Sequence, residues 1–441
     1  MLHQMERILN VFSIKNIDYI TFISSLAIVV SITFFILYDA ETAKTIIGIC
    51  YDNIVNIFGP VYLILTIFSF FFLLYLCFSR HGNYRLGGQN QIAEFSYFSW
   101  IGMLFCSGIG GGLVYWSGVE WAYYVDIPPF GIEPGSKESF ALATAYGLFH
   151  WGISAWAIYG IPAIALSIAF YKYQLNTLRL SSSLRGLGFK NVEESLGGRL
   201  IDLIFVITTV GAAGGTIGSY IPMLSSGFSD ILNIENNLLL DLQVLTLCVG
   251  LFGFSVYSGL TKGIKRLSDL NLILAILFLI IVLSIGPTFE IVRNSFDGLV
   301  YTVKYFWDMS TLGILEKSEF AEAWTIFYWA WWVAFGPLVA LFIARISKGR
   351  TLRELILGML IFGSLGTWLF YMILGGYSMS LEQTGALGVI DSLKEQGHAE
   401  TAISIVRTMP FDAIMLVLFC AITIIFVTTS YDSMSFVIAY H

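Results

Sequence analysis

Ten apolar runs, each long enough to cross a bilayer as a helix of about twenty residues, limit the architecture before any motif is considered. They lie near Tyr19–Tyr38, Ile57–Phe78, Tyr97–Tyr123, Ala141–Tyr171, Leu203–Phe228, Leu238–Ser258, Leu270–Phe289, Glu322–Ala344, Leu355–Ser378 and Asp412–Ile438. Inside hydrocarbon every backbone N–H and C=O must find its partner within the protein, and a helix does this segment by segment. Charged residues make up 12% of the chain and hydrophobic ones 57%, against about a quarter charged in soluble domains. A soluble protein is thereby excluded. The expected fold class is an all-α integral membrane protein that crosses the bilayer many times.

Charge assigns the two sides. Most of the 23 lysines and arginines fall in loops on the side of the N-terminus, among them Arg80, Arg85, Lys265, Arg266, Arg345 and Arg350, which makes that side cytoplasmic. The net charge of −7 gives no sign of nucleic acid as a partner, because the signs are segregated loop by loop. The run after Asp18 is long enough to be a span and no small-residue cleavage site follows it, so no signal peptide is read. Cys50, Cys77, Cys106, Cys248 and Cys420 show no CxxC spacing and read as small packing residues. The five histidines are scattered and form no HxxxH pattern, so an enzyme is not expected. On the outer side, Ile291–Trp307 and Ile390–Met409 carry apolar residues at helical spacing and read as helices packed near the membrane surface.

Three stretches stand out within the spans. Phe327 to Pro337 holds Trp329, Trp331 and Trp332 with Phe327, Tyr328 and Phe335, then Gly336-Pro337. Indole faces attract a cation that hydrogen bonds cannot satisfy, such as a quaternary ammonium; an aromatic belt at the membrane interface is the alternative. The Gly-Pro pair is expected to interrupt the helix. In the third span, Gly108, Gly110, Gly111 and Gly112 fall within five positions, and this density favours an unwound segment over close helix packing. A phosphate loop is not supported, since no strand precedes the glycines and no Lys-Ser/Thr follows. In the fourth span Trp151, Trp156 and Tyr159 share one wide helix face, with His150 read as a hydrogen-bonded structural residue.

Hydroxyls complete the pattern. Thr208, Thr209, Thr216 and Ser219 lie in the fifth span among glycines, where helix packing explains most such groups and a cation site is the minority reading. Thr428 to Ser433 place hydroxyls beside Asp432, which is a functional candidate if it sits at membrane depth and an interfacial residue otherwise. Oxygen ligands of this kind suit sodium or another hard cation.

Taken together, Phe327-Tyr-Trp-Ala-Trp-Trp332, Pro337, Phe342-Ile-Ala-Arg-Ile-Ser-Lys-Gly-Arg-Thr351, Ser258-Gly-Leu-Thr-Lys-Gly-Ile-Lys265, His150-Trp-Gly152, the glycine stretch and Thr429-Ser-Tyr-Asp-Ser433 resemble the betaine/choline/carnitine transporter family. The matches run in the family's order from about Gly102 to the C-terminus. The resemblance implies a leucine-transporter-type fold: two peripheral helices, then two five-helix repeats of inverted topology. The chain then divides into a cytoplasmic N-terminus (1–17), two peripheral helices (18–96), a first repeat (97–289), an outer connector (290–321) and the start of a second repeat (322–441). Only three spans of that second repeat precede His441, so either the chain is truncated or two spans are absent by nature, and transport by the chain alone is in question.

The resemblance also implies the site. Trp151, Trp156, Tyr159, Trp329, Trp331 and Trp332 would form the substrate box, and backbone N–H groups at Gly110 to Gly112 would meet a substrate carboxylate. Two departures are visible: Phe335 stands where the family usually has tryptophan, and Glu120 is followed by Trp121 where proline is usual. One coupling sodium would lie between the carbonyls of Cys106 and Ile109 and the hydroxyls of Thr429 and Ser430; a second would use Thr209, but its companion position is Ala213. One sodium is thus better supported than two. The implied protein imports a small quaternary ammonium zwitterion by sodium symport across the inner, plasma membrane of a bacterium, as a homotrimer. Sodium-independent exchange and substrate sensing without transport are the alternatives, and a channel fits interrupted helices less well.

Overall fold

A computed structural model describes residues 18–106, 110–174, 179–189, 191–258, 263 and 265–440. Every extended element among them is a helix, with one isolated bridge between Arg85 and Thr351. Nine of these helices are long and apolar enough to cross a membrane, and the chain is a multi-pass helical bundle. Two outer helices come first, α1 (Tyr19–Tyr38) and α2 (Ala40–Phe78). Asp39 ends α1 and caps α2, accepting from the Thr42 N–H at 3.0 Å, so one residue turns the chain between two helices.

Gly110, Gly111 and Gly112, expected to be unwound, lie instead in a helix, and the third span turns at 117–119. It is built from α3 (Tyr97–Cys106), α4 (Gly110–Trp116) and α5 (Glu120–Asp126), with Ile109 lying outside the described residues. Two of its glycines are sites of close approach. A Cβ on Gly111 would stand 2.6 Å from the Tyr220 ring, and one on Gly112 would stand 2.6 Å from the Trp151 indole.

The fourth span bends between α6 (Lys137–Trp151) and α7 (Ile153–Tyr173) at Gly152, where a Cβ would come within 2.2 Å of both the Leu148 carbonyl and Trp368 Nε1. Such a break frees carbonyls that water cannot reach. Side chains take them up: Trp368 Nε1 donates to Leu148 O at 2.8 Å, Trp332 Nε1 to His150 O at 2.9 Å, and Thr367 Oγ1 to Trp151 O at 2.7 Å. Helices α8 (Leu196–Leu232), α9 (Leu238–Ser258) and α10 (Lys265–Ile285) follow.

The two connectors are helical, as their spacing predicts. One forms α11 (Thr288–Lys304) and α12 (Phe306–Thr311); the other forms α15 (Val389–Gln396) and α16 (His398–Arg407), whose Val389, Ile405 and Val406 are buried. Between them run α13 (Ala321–Ile346) and α14 (Leu352–Thr384), and α17 (Asp412–Tyr440) closes the described chain. The predicted interruption at Gly336-Pro337 is absent. The α-helix runs from Phe327 through Pro337 to Ile346, and the irregular turn is instead a π-helical stretch at Ala321–Ile326. A proline in a helix interior costs about 3 kcal/mol in isolation; here α13 is pressed against α7, the most extensive helix pairing among the described residues. Packing overrides the local signal. Two more π stretches, Gly358–Gly363 and Tyr371–Gly375, lie in α14.

Candidate functional site

Residues of α4, α6, α8, α13 and α17 line a tight aromatic cavity. Trp151, Trp331, Trp332 and Phe335 supply rings, Gly111 and Gly112 supply backbone, and Thr216, Tyr220, Ser430 and Tyr431 complete the lining. Trp151 meets Trp332 edge to face at 5.0 Å between centroids, and Trp331 stacks on Trp332 at 5.7 Å. The glycines matter because any side chain at Gly112 would occupy the space of the Trp151 ring. Rings without a competing hydrogen-bond partner on the cavity side suit a cationic, weakly hydrated head group, each worth about 0.5–2 kcal/mol.

The remaining box residues fall one layer behind. Tyr159 stands edge-on to Trp332 at 5.8 Å and Trp156 stands edge-on to Tyr159 at 5.9 Å, and neither is on the cavity's lining. Both are fully buried, and Trp156 Nε1 and the Tyr159 hydroxyl have no partner among the described residues. Trp329 faces away from the cavity, packed against Phe149 and His150. Gly110 begins α4.

The expected ion residues separate in the same way. The Cys106 carbonyl, at the described end of α3, accepts from Ser430 Oγ at 3.4 Å, which joins α3 to α17. Thr429 Oγ1 donates within its own helix, to Ile425 O at 2.9 Å and Phe426 O at 3.1 Å. Thr209 is buried with its hydroxyl unpartnered among the described residues. Ile109 and the Asp432 side chain lie outside what the structure describes. No group of His, Cys, Asp or Glu able to hold a metal forms among the described residues.

Three groups have partners that the sequence did not assign. Tyr220 and Tyr431 wall the cavity, with the Tyr431 hydroxyl 2.8 Å from Thr216 Oγ1 and donating to Ala213 O at 2.6 Å. Glu120 is fully buried, and four donors converge on its carboxylate: Tyr124 at 2.6 Å, Trp151 Nε1 at 2.9 Å, Tyr328 at 2.5 Å and Tyr371 at 2.6 Å. The signal was available, since an acidic side chain inside an apolar span is a functional candidate by default. Trp121, in the place of the usual proline, uses its indole N–H to reach Ser378 Oγ at 2.8 Å and Gly118 O at 3.1 Å.

With this geometry described, the comparisons with known proteins agree on one group. A family profile described as "BCCT, betaine/carnitine/choline family transporter" matches residues 20–441. Among similar proteins, a carnitine transporter of Acinetobacter baumannii is 31% identical over 418 residues, covering 94% of this chain and 75% of that protein. The glycine betaine transporter OpuD of Bacillus subtilis is 35% identical over 390 residues, covering 87% and 75%. Glycine betaine transporter 1 of Vibrio parahaemolyticus is 32% identical over 411 residues, covering 91% and 76%.

Proposed function

The chain belongs to the betaine/carnitine/choline transporter family, a family of secondary transporters and not of enzymes, and we propose that it imports a small quaternary ammonium zwitterion such as glycine betaine by sodium symport. The observation that carries this reading is the cavity walled by Trp151, Trp331, Trp332 and Phe335. Its rings would hold the trimethylammonium head. A substrate acid group would be met by the backbone at Gly111 and Gly112.

Coupling follows from position. A sodium ion held by the Cys106 carbonyl and the hydroxyls of Ser430 and Thr429 would join α3 to α17. Oxygen donors alone suit a hard monovalent cation. Thr209 would serve a second ion less completely, because its companion Ala213 offers only a carbonyl already bonded to Tyr431. Alternating access rests on two units that begin at the third and eighth spans. Five crossings separate them, so they start on opposite faces of the membrane, as inverted repeats do. The bend at Gly152 and the turn at 117–119 are the points where such units would move against each other. We also propose a homotrimer in the inner membrane with a cytoplasmic N-terminus; the exposed Phe289, Phe296, Val303 and Trp307 on α11 and α12 offer an apolar stripe to a neighbouring protomer or to lipid.

Uptake of labelled glycine betaine into proteoliposomes tests the reading. Accumulation driven by an inward sodium gradient and not by an equal potassium gradient is the expected result. Equal uptake with either ion, stimulated by substrate preloaded inside, would replace symport with exchange. Binding without uptake would leave a sensor.

A further inference from the structure

The Glu120 carboxylate is the one buried acid behind the cavity wall, and the proposed pocket does not itself explain its presence. Among the described residues no lysine or arginine forms an ion pair with it. Its four donors are all neutral: three phenols and an indole. Beyond these donors lies His150, reached through Tyr124, whose hydroxyl is 2.9 Å from His150 Nδ1. With the Tyr124 hydroxyl donating to Glu120, His150 Nδ1–H donates to the Tyr124 oxygen and Nε2 accepts from Thr325 Oγ1 at 3.0 Å, an arrangement that keeps the imidazole neutral and the carboxylate ionised. A carboxylate accepting several hydrogen bonds is stabilised in that ionised form.

One of the four donors lines the pocket, and a second packs on rings that do. The indole whose N–H binds Glu120 is Trp151, and its ring is on the cavity's lining. Tyr328, bonded at 2.5 Å, lies parallel to Trp331 and Trp332 at 6.1 and 5.9 Å between centroids. An N–H or O–H that donates to an anion leaves its ring richer in electrons, and the anion itself adds a field of the same sign. Desolvated charge acts over a ring's width with little screening.

We propose that Glu120 is a positioning and specificity-determining residue, an ionised carboxylate behind Trp151 that makes the pocket prefer a ligand with a fixed positive charge over one of the same shape without it. The inference rests on the cavity being the substrate site. A buried carboxylate with no cation of its own is costly to maintain; a bound quaternary ammonium supplies the missing charge without offering a proton that could neutralise it.

The test compares choline with its uncharged carbon isostere, in which carbon replaces the quaternary nitrogen. Binding of both is measured by tryptophan fluorescence on the purified full chain and on Glu120→Gln. The wild type is expected to prefer choline, and Glu120→Gln to narrow that preference by at least about tenfold. A merely structural role would weaken both ligands alike and leave their ratio unchanged, which would overturn the inference while leaving the pocket intact. Failure of the wild type to bind either ligand would remove the pocket reading, and the inference with it. Should Glu120→Gln not fold, infrared difference spectra of the wild type decide. Choline-induced shifts in carboxylate stretching, with no protonated-carboxyl band, support the proposal; a choline-sensitive protonated-carboxyl band, or no carboxyl response, contradicts it.

Discussion

Glycine does opposite work in two parts of this molecule. Where α6, α7, α13 and α14 meet, glycines are points of contact: a Cβ at Gly147 would stand 2.4 Å from the Tyr371 ring, and one at Gly363 would stand 2.3 Å from the Trp156 indole. Along α8, Gly211, Gly214, Gly215 and Gly218 face open space, with nothing within 4 Å of the Cβ they lack. The spans differ to match. The most apolar windows of Lys137–Tyr173 and Ala321–Ile346 are each 67% buried, against 22% for Leu196–Leu232. One region is a jointed frame around the aromatic cavity, and the other is a helix that packs on one side and carries its glycines on the uncovered side. Residue type alone does not distinguish them; only the neighbours do.

The largest break in this contrast should come from Gly363→Ala. Overpacking against Trp156 is expected to cost about 1–3 kcal/mol and to disturb the layer that supports Trp332, so thermal stability and ligand affinity should fall together. A variant as stable as the wild type would mean the frame is softer than its contacts imply.

Next in size is the loss of a hydroxyl where the two regions touch. Tyr431→Phe removes the bond to Ala213 O and the contact with Thr216, and should lower unfolding stability by about 1 kcal/mol. It leaves the ring in the cavity wall, so affinity for an apolar cation should change less than stability does.

A smaller effect, dependent on pH, is expected at α16. His398 stacks on Tyr115 at 3.8 Å, its Nε2 lies 2.7 Å from Tyr115 O, and burial pushes its imidazole down to about 4 despite that backbone contact. The docked form therefore favours the neutral ring. Docking should be fully supported above the free imidazole range near about 6.5 and weaken as pH falls towards about 4. Hydrogen exchange across His398–Arg407 would register this, and His398→Phe should flatten the dependence. The smallest effect belongs to Gly214→Ala, which adds a methyl to open space and should be neutral or stabilising by up to about 1 kcal/mol, read from the melting temperature.

Much of the architecture was legible because the bilayer allows few alternatives. The apolar runs mark the spans, whereas Gly110 to Gly112 read as unwound and are helical, packed against Tyr220 and Trp151. Interior detail was less legible, for physical reasons. Pro337 reads as a helix breaker locally, yet the fit of α13 against α7 outweighs that preference. Trp156 and Tyr159 share a face with Trp151, but helical periodicity cannot tell a ring that lines a cavity from one that supports it. Tyr220 and Tyr431 are aromatic residues in apolar runs and carry no mark of their own until α8 and α17 come together. Glu120 did carry a mark, an acid within a span, but its meaning lies in Tyr124, Trp151, Tyr328 and Tyr371, which come from four different elements.

The most direct test of the account is a calorimetric titration of glycine betaine into the purified full chain and into Trp332→Leu. Trp332 meets Trp151 and Trp331 on the cavity side and Tyr159 behind. Its replacement removes a cation-attracting face while keeping an apolar side chain. The account predicts saturable binding by the wild type and an affinity at least about tenfold weaker in the variant. Equal affinity in the two proteins would contradict it and move the substrate site away from the aromatic cavity.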